Sequence, residues 1–214
     1  MTPADYDAWY QSPRGAWIGE AEFRLLRHLL APVAGERLLD AGCGTGYFSR
    51  RFATLGLHVH GVDPDPRMLR YAAARDERVE GYVMGDARQL PFADRAFDHC
   101  IAVTSLCFIA EEARAVAELV RVARRGVALG LLNRRSLLYG EKARGGGSGA
   151  YRGARWHTAA EARRLFDALP VRDVRVATAV FFHGGGGIAR CAERVLPRGL
   201  PLGAFLAVVG RIEP

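Results

Sequence analysis

Residues 37–48 read Arg-Leu-Leu-Asp-Ala-Gly-Cys-Gly-Thr-Gly-Tyr-Phe. Two leucines lead into Asp40, glycines alternate at Gly42, Gly44 and Gly46, and an amphipathic segment follows. This order predicts a strand, a tight turn and a helix start, which is how α/β sheets hold nucleotide-like ligands. Glycine has no Cβ, so the turn can adopt unusual φ and ψ angles and a ligand can lie against bare backbone.

The spacing of these glycines separates two classes of ligand. Dinucleotide-binding folds need G-x-G-x-x-G, in which the third glycine packs the helix on the sheet beneath a pyrophosphate. Here the pattern is G-x-G-x-G, and Tyr47 stands where that third glycine would be. The pattern therefore favours a ligand without a pyrophosphate, although a plain strand-to-helix turn would have the same local sequence.

Acidic residues recur where the next strands end. Residues 57–63 are predicted to form a second strand that ends in Asp63, and a carboxylate there can accept two hydrogen bonds from a ribose diol. A third strand, 78–84, is followed by Gly-Asp-Ala at 85–87, and a fourth strand spans 97–104. Asp63 could instead cap the helix that follows it, and Asp86 could be a turn residue.

Four segments of the chain resemble a known family, the class I S-adenosylmethionine-dependent methyltransferases. The resemblance is to the small-molecule enzymes that include ubiquinone and menaquinone C-methyltransferases. The matching segments are LLDAGCGTGYF at 38–48, GVDPDPRML at 61–69, GDARQLPFADRAFD at 85–98 and AVTSLCFI at 102–109. They follow the family's order and spacing, and together they cover roughly residues 36–132.

The resemblance implies the fold and its organisation. It implies an α/β fold, a three-layer Rossmann-like sandwich around a seven-stranded, mostly parallel sheet of order 3-2-1-4-5-7-6, with the last strand antiparallel. Residues 1–214 would form a single methyltransferase domain. The cofactor would be S-adenosyl-L-methionine, with S-adenosyl-L-homocysteine as its product.

The resemblance also assigns the residues around the methionine part of this cofactor. Gly42, Gly44 and Gly46 would pass under the methionine and the ribose. Asp40 would lie near the methionine amino group and act through backbone or water. Thr104, at the end of the fourth strand, would close the methionine side.

A second group of residues would hold the adenosine part. Asp63 would bind the ribose hydroxyls, while Pro64 and Met68 would pack on the adenine ring. Asp86 would accept a hydrogen bond from the adenine amine, and the amide of Ala87 would donate to a ring nitrogen. Met68 has a simpler alternative, because a methionine on a helix usually fills the core.

The N-terminal segment, residues 1–31, is predicted to be a lid followed by a helix. Residues 17–30 carry an apolar stripe at helical spacing, which we expect to cover the first strand of the sheet. In the family this segment often folds over the cofactor, and Tyr6 and Trp9 are the predicted lid residues, because a ring face attracts a sulfonium cation. Alternatively these aromatic side chains anchor the first helix.

The segment 133–157 is predicted to cover the substrate. It has no clear periodicity, contains glycines at 145–147 and 149, and follows the fifth strand. Long loops in compact domains are usually functional or mobile, although an insertion without a role remains the alternative. His157 and His183 are the best-placed histidines, but loop or strand-end positions explain both, so no catalytic base is assigned.

Composition limits the partners that we expect. The net charge is +7, but the arginines are spread along the chain and form no basic block with interleaved aromatic residues. The fourth strand is not followed by the Asn/Asp-Pro-Pro-aromatic tetrad of enzymes that methylate base amines. A small-molecule methyl acceptor is therefore predicted, with a nucleic-acid partner not expected and a monomer or a homodimer as the assembly.

Cysteine usage and hydropathy indicate the compartment. The four cysteines form no C-x-x-C pair, so neither a metal site nor a disulfide framework is expected. No apolar run reaches the roughly 18 residues of a membrane helix, and the first residues show no basic-then-apolar signal. These features predict a cytoplasmic protein without a membrane span.

The predicted function is direct methyl transfer to an unidentified small molecule. The leaving group in such a reaction is a neutral thioether that needs no acid, so catalysis depends on in-line placement of the reactants and exclusion of water. The alternatives are an RNA or protein methyltransferase, which only the positive net charge favours, and a nicotinamide-binding reductase. Tyr47 in place of a third glycine argues against the reductase.

Overall fold

A computed structural model describes residues 2–75, 78–143 and 146–213. Its centre is a single sheet of seven strands. The strands are β1 Arg37–Ala41, β2 His58–Asp63, β3 Gly81–Met84, β4 Phe97–Val103, β5 Ala123–Leu132, β6 Val171–Ala179 and β7 Phe205–Ile212.

The strands are arranged in the order β3-β2-β1-β4-β5-β7-β6. The five strands from β3 to β5 pair in parallel, whereas β7 runs antiparallel to both β5 and β6. Four residues of β1 and six of the seven in β4 are buried, as expected for parallel strands covered on both faces. The predicted fold class is confirmed, including the antiparallel last strand.

Eight helices of the described residues surround this sheet. The first begins after Thr2, whose side chain forms a reciprocal capping box with Asp5. The helices are α1 Pro3–Gln11, α2 Pro13–Leu30, α3 Tyr47–Ala53, α4 Pro66–Ala73, α5 Glu112–Val122, α6 Leu137–Lys142, α7 Ala159–Arg164 and α8 Gly187–Val195.

We expected α2 to cover the first strand, and this prediction was wrong. It packs mainly on β5, β6 and β7. Right-handed crossovers place α3 and α4 on one face over β1, β2 and β3, and α5 on the other face. The helix α2 covers the rest of the first face and meets α3 at its edge, where the rings of Phe23 and Phe52 lie 5.0 Å apart.

The segment 133–157 contains more regular structure than its lack of periodicity predicts. Ser136 caps α6 by accepting a hydrogen bond from the Tyr139 amide, and a short 3-10 helix spans Gly149–Tyr151. Gly145, one of the glycines in the predicted covering loop, lies outside the described residues.

The structure bears on two features that were used to predict the compartment, the membrane-spanning segments and the cysteines. No described helix combines the length and the apolar character that crossing a bilayer requires. All four cysteines are free thiols, three of them buried. The cytoplasmic location itself stays a prediction.

Packing of α2 on the sheet is expected to dominate the stability of this face. Leu26 is fully buried, whereas Arg27 beside it is exposed. Leu26→Ala should lower the free energy of unfolding by about 2–5 kcal/mol, because the cavity left behind cannot fully collapse. Arg27→Ala should change it by less than about 1 kcal/mol. Urea unfolding measures both, and equal effects would contradict the placement of α2.

Candidate functional site

The site lies where the chain reverses direction across the sheet. From β1 the chain moves outward to β2 and β3, and then returns to β4 on the other side of β1. Parallel sheets bind ligands at such a switch point, beyond the carboxyl ends of the strands. A cleft of about 550 Å3 opens there. The Ser105 hydroxyl, just after β4, donates to the Ala41 carbonyl at 2.8 Å and joins the two strand ends.

The glycine loop after β1 packs closely against Ser105 and also contributes Gly42 to the wall of the cleft. Gly42 has φ +73°, and a Cβ there would overlap the side chain of Ser105, with the hydroxyl oxygen only 2.8 Å away. The amides of Gly42 and Cys43 both donate to the Val62 carbonyl, at 2.7 and 3.1 Å. Gly44 and Gly46 also have positive φ angles, so the turn has left-handed backbone at each alternate residue.

Asp63 holds the glycine loop against the end of β2. One carboxylate oxygen accepts the amide of Gly44 and the other accepts the amide of Asp65, both at 2.9 Å. A carboxylate has about four lone-pair sites, so each oxygen can accept a further hydrogen bond. Asp63 lines the cleft, with Pro64 beside it.

Asp40 does not line the cleft. It is buried, and its carboxyl accepts a hydrogen bond from the Ser49 hydroxyl at 2.6 Å. Burial raises the pKa of Asp40 to about 7, the nearby charge of Asp63 raises it further, and the Ser49 bond opposes both. Any influence of Asp40 on a ligand in the cleft would therefore pass through backbone or water, and this role stays a prediction.

Asp86 lines the cleft together with Ala87 and is paired with Arg88. The Arg88 guanidinium donates to both Asp86 oxygens, at 2.6–3.1 Å, and this hydrogen bonding holds the pKa of Asp86 below its usual value. Arg88 also donates to Glu111 at 2.9 Å. Sequence reasoning did not single out Arg88, although it follows the Gly-Asp-Ala motif directly.

The structure brings together seven of the twelve residues predicted to bind the cofactor, and five lie off the cleft wall. Those on the wall are Tyr6, Gly42, Asp63, Pro64, Asp86, Ala87 and Thr104. Those away from it are Trp9, Asp40, Gly44, Gly46 and Met68.

Helix α1 lies against α2 and α4 and brings Tyr6 to the cleft. It is fixed by the buried Asp7, which accepts from the Arg50 guanidinium at 2.9 Å. The ring of Tyr10 stacks on Tyr47 with 3.7 Å between centroids. Trp9 is 38% exposed and lines a second cavity instead of the cleft, so the two predicted lid residues take different places.

This second cavity, which we call the inner cavity, has a volume of about 430 Å3. It shares Tyr6, Thr104 and Phe108 with the cleft, so the two spaces meet at these side chains. Thr104 has φ +53°, a strained value for a residue with a Cβ, and its amide donates to Gly130 at 2.7 Å. Apolar and aromatic side chains make up most of the remaining wall: Trp9, Tyr10, Ile18, Leu132, Leu138, Tyr151, Val180 and Phe205.

Glu22 is the acidic residue buried in this wall. It is only 8% exposed, and no described residue donates a hydrogen bond to its carboxyl group. Burial raises the pKa of Glu22 from 4.5 to about 8. Sequence reasoning missed it, yet the signal was present, because Glu22 interrupts the apolar stripe of α2 between Ile18 and Leu26.

The two candidate histidines are both paired with glutamates. His183 lies in the wall of the inner cavity, with its Nε2 3.0 Å from Glu141. His157 is buried with its Nε2 2.9 Å from Glu112, and it lines neither space. Of residues 150–157, Ala150 and Tyr151 line the inner cavity.

Two other features can be set aside. A larger groove of about 820 Å3 lies between α2 and α8, but it is lined by charged side chains and includes no strand end. Within residues 2–75, 78–143 and 146–213, no group of His, Cys, Asp and Glu side chains has the arrangement of a metal site.

A comparison with known protein families matches the part of the chain that contains most of the cleft residues. Residues 39–130 match a family model described as a methyltransferase domain. The chain is 36% identical over 149 residues to a malonyl-[acyl-carrier protein] O-methyltransferase of Serratia marcescens, a match that covers 70% of this chain and 54% of that protein. The chain thus spans about half the length of that relative.

Two further matches extend over nearly the whole chain. An uncharacterized protein of Mycobacterium tuberculosis is 34% identical over 215 residues, covering 98% of this chain and 72% of that protein. The crystal structure of an S-adenosylmethionine-dependent methyltransferase from Thermotoga maritima, described as a possible histamine N-methyltransferase, superposes with a TM-score of 0.78 at 25% identity. That match covers 98% of this chain and 95% of the Thermotoga chain.

Alanine at two glycines of the loop should have unequal effects. At Gly44 a Cβ would meet only the Tyr6 ring, at 4.0 Å, so Gly44→Ala should cost about 1–2 kcal/mol of unfolding free energy through its positive φ. Gly42→Ala should cost more, because the new Cβ also overlaps Ser105. Urea unfolding of the two variants measures the difference, and a smaller loss for Gly42→Ala would contradict this geometry.

The buried Glu22 carboxyl should give stability a pH dependence. Its folded pKa is raised, so its contribution is complete below about 4.5 and is lost as pH rises to about 8, while the unfolded chain ionises first. Glu22→Gln removes this loss. Its unfolding free energy relative to wild type should therefore increase by roughly 2–4 kcal/mol between acidic pH and pH above the folded pKa.

Urea unfolding curves recorded across this pH range measure the change in unfolding free energy. Glu20→Gln is the matched control, because Glu20 lies on the same helix and pairs at the surface with Arg24 and Arg51. It should give a nearly constant difference from wild type. A constant difference for Glu22→Gln as well would show that its carboxyl is not an unpaired buried acid.

Proposed function

Because the chain belongs to the class I S-adenosylmethionine-dependent methyltransferases, we propose that it transfers a methyl group from this cofactor to a small-molecule acceptor. The predicted family and its cofactor are confirmed by the matches. The proposal about activity is carried by one observation, the convergence of the glycine loop, Asp63 and Asp86 on a single cleft.

The residues present fit the methyl donor. The donor has a zwitterionic end, a ribose diol and an aromatic base, and a cleft of about 550 Å3 lies within the usual range for ligand sites. Asp63 retains lone pairs for the diol. Asp86 offers an acceptor for the adenine amine, and Gly42 leaves bare backbone for the methionine and ribose part.

The chain's own contribution is placement and exclusion of water. Bound in the cleft, the donor supplies an electrophilic methyl group on a sulfonium. Tyr6 lies where the cleft and the inner cavity meet, and Trp9 and Tyr10 line the inner cavity beside it, so these rings of α1 can exclude water and orient the acceptor. The Tyr6 phenol stays neutral at physiological pH, because burial raises its pKa.

The acceptor class follows from the inner cavity and not from any one relative. Its largely apolar wall suits a small organic molecule better than a nucleic-acid phosphate backbone, which needs exposed basic groups. The malonyl-[acyl-carrier protein] acceptor is that of the Serratia relative and is not carried over to this chain. We extend the proposal to one domain over residues 1–214, with residues 1–31 as lid and residues 133–157 as substrate cover, acting as a monomer or a homodimer.

Loss of the Asp63 carboxylate should remove the donor site. Asp63→Ala should weaken S-adenosylhomocysteine binding by at least about 100-fold, because two hydrogen bonds to a charged group disappear. Isothermal titration calorimetry measures the affinity, and a melting curve without ligand should stay cooperative. An unchanged dissociation constant would remove Asp63 from the site.

Asp65→Ala is the control for this experiment. Asp65 caps α4 by accepting the Arg67 amide at 2.8 Å and does not line the cleft. This variant should lose about 1 kcal/mol of stability but keep its affinity for S-adenosylhomocysteine.

A ligand at 100 times its dissociation constant stabilises by about 2.7 kcal/mol. If NAD shifted the melting curve and S-adenosylhomocysteine did not, a nicotinamide-binding function would replace this proposal.

A further inference from the structure

The inner cavity holds a carboxyl group that the fold does not use. Glu22 has no hydrogen-bond donor among the described residues and forms no ion pair with any of them, although burial of such a group is costly. Buried acids in folded proteins are normally paired. Here the unpaired acid lies in the wall of a cavity that shares Tyr6, Thr104 and Phe108 with the cofactor cleft, so a bound ligand can supply its missing hydrogen-bond donor.

We propose that Glu22 accepts the proton that the methyl acceptor loses, and that this acceptor presents an uncharged N–H or O–H group on an apolar body. The proposal rests on the methyltransferase function proposed above. A nitrogen or oxygen lone pair forms the new bond to the methyl carbon as the carbon–sulfur bond breaks, the sulfonium becomes a thioether, and the N–H or O–H proton passes to Glu22.

The geometry places Glu22 where such a proton would leave. The cavity meets the cleft at Tyr6, Thr104 and Phe108, so an acceptor inside it can face the cleft with one end and Glu22 with a polar group. Glu22 and Tyr6 line the same cavity, and the charge of Glu22 adds to burial in raising the pKa of the Tyr6 phenol. A general base must come within hydrogen-bond reach of the proton that it takes.

The titratable groups that interact with Glu22 are tyrosines. Four tyrosines lie near it, and each has a raised pKa, so they stay neutral; they are Tyr6, Tyr10, Tyr47 and Tyr151. The charged or titratable side chains that line the rest of the cavity are Asp5, Arg14, Lys142 and His183. Arg14 is exposed and donates to the His183 carbonyl at 2.8 Å, and His183 pairs with Glu141.

The same arrangement disfavours a carboxylate as the reacting group. An ionised acceptor beside Glu22 would place two like charges in a poorly solvated space, which is unfavourable. Burial raises the pKa of Glu22 to about 8, which suits a base that works near neutral pH and returns its proton afterwards. The acceptor class proposed here thus differs from the carboxyl acceptor that an O-methyl ester would require.

Three probes with one apolar body test this inference: β-naphthol, β-naphthylamine and β-naphthoate. Their affinities are measured by calorimetry for the full chain saturated with S-adenosylhomocysteine, at about pH 8.5, where Glu22 is mostly ionised. Naphthol and naphthylamine should bind at least about tenfold more tightly than naphthoate. Glu22→Gln should abolish this preference, whereas the control Glu20→Gln should keep it.

Proton linkage gives a readout that a structural role would not move. At about pH 7 Glu22 is mostly protonated, so binding of naphthol to its carboxylate should release protons into the buffer. Calorimetry in two buffers of different ionisation enthalpy measures this release, which should be absent in Glu22→Gln. Naphthol affinity should also rise with pH toward 8 in wild type and stay level in the variant.

The possible results separate this inference from the proposed function. Equal or tighter binding of naphthoate, or an unchanged preference in Glu22→Gln, would overturn the role of Glu22 while S-adenosylhomocysteine still binds. Failure of all three probes to bind the loaded protein would overturn the apolar acceptor cavity. If S-adenosylhomocysteine itself does not bind, the methyltransferase proposal fails, and this inference fails with it.

Discussion

The close approach of two strand ends governs this site. At the switch point the backbone of Gly42 passes so near to Ser105 that no Cβ fits, and the Gly44 amide is held by the Asp63 carboxylate at 2.9 Å. The shape of the loop and the orientation of Asp63 therefore depend on each other. A change at either position alters both the floor of the cleft and the group proposed to bind the ribose.

The two spaces above the sheet are built from different parts of the chain. The cleft takes most of its polar groups from the end of β2 and from residues shortly after β1, β3 and β4, strands that the sheet holds in a fixed register. The inner cavity is assembled from α1, α2, α6 and the segments around Tyr151 and Val180. Such a division suits a family in which one donor serves many acceptors, because the acceptor wall can vary while the sheet does not.

Three acids at this end of the fold show how surroundings decide charge. Asp86 is paired with Arg88, so hydrogen bonds to its ionised form lower its pKa. Asp40 is buried with one bond from Ser49, and burial raises its pKa to about 7. Glu22 is buried with no described donor, and its pKa rises to about 8. The order follows burial first and hydrogen-bond donors second, since Asp86 is partly exposed and well supplied with donors, while Asp40 and Glu22 are buried and each donor offsets part of the cost of leaving water.

The sequence by itself predicted the strand–loop–helix unit, because that unit depends on glycine spacing and strand-end acids that are local in the chain, whereas the strand order and the cofactor followed from the resemblance to the family. Only the tertiary structure decided the position of α2 across β5, β6 and β7, since crossover handedness leaves that face open. It also decided that Tyr6 reaches the cleft and Trp9 does not. Glu22 shares the wall of the inner cavity with residues as distant in the chain as Thr104 and Phe205, and no local pattern encodes that environment.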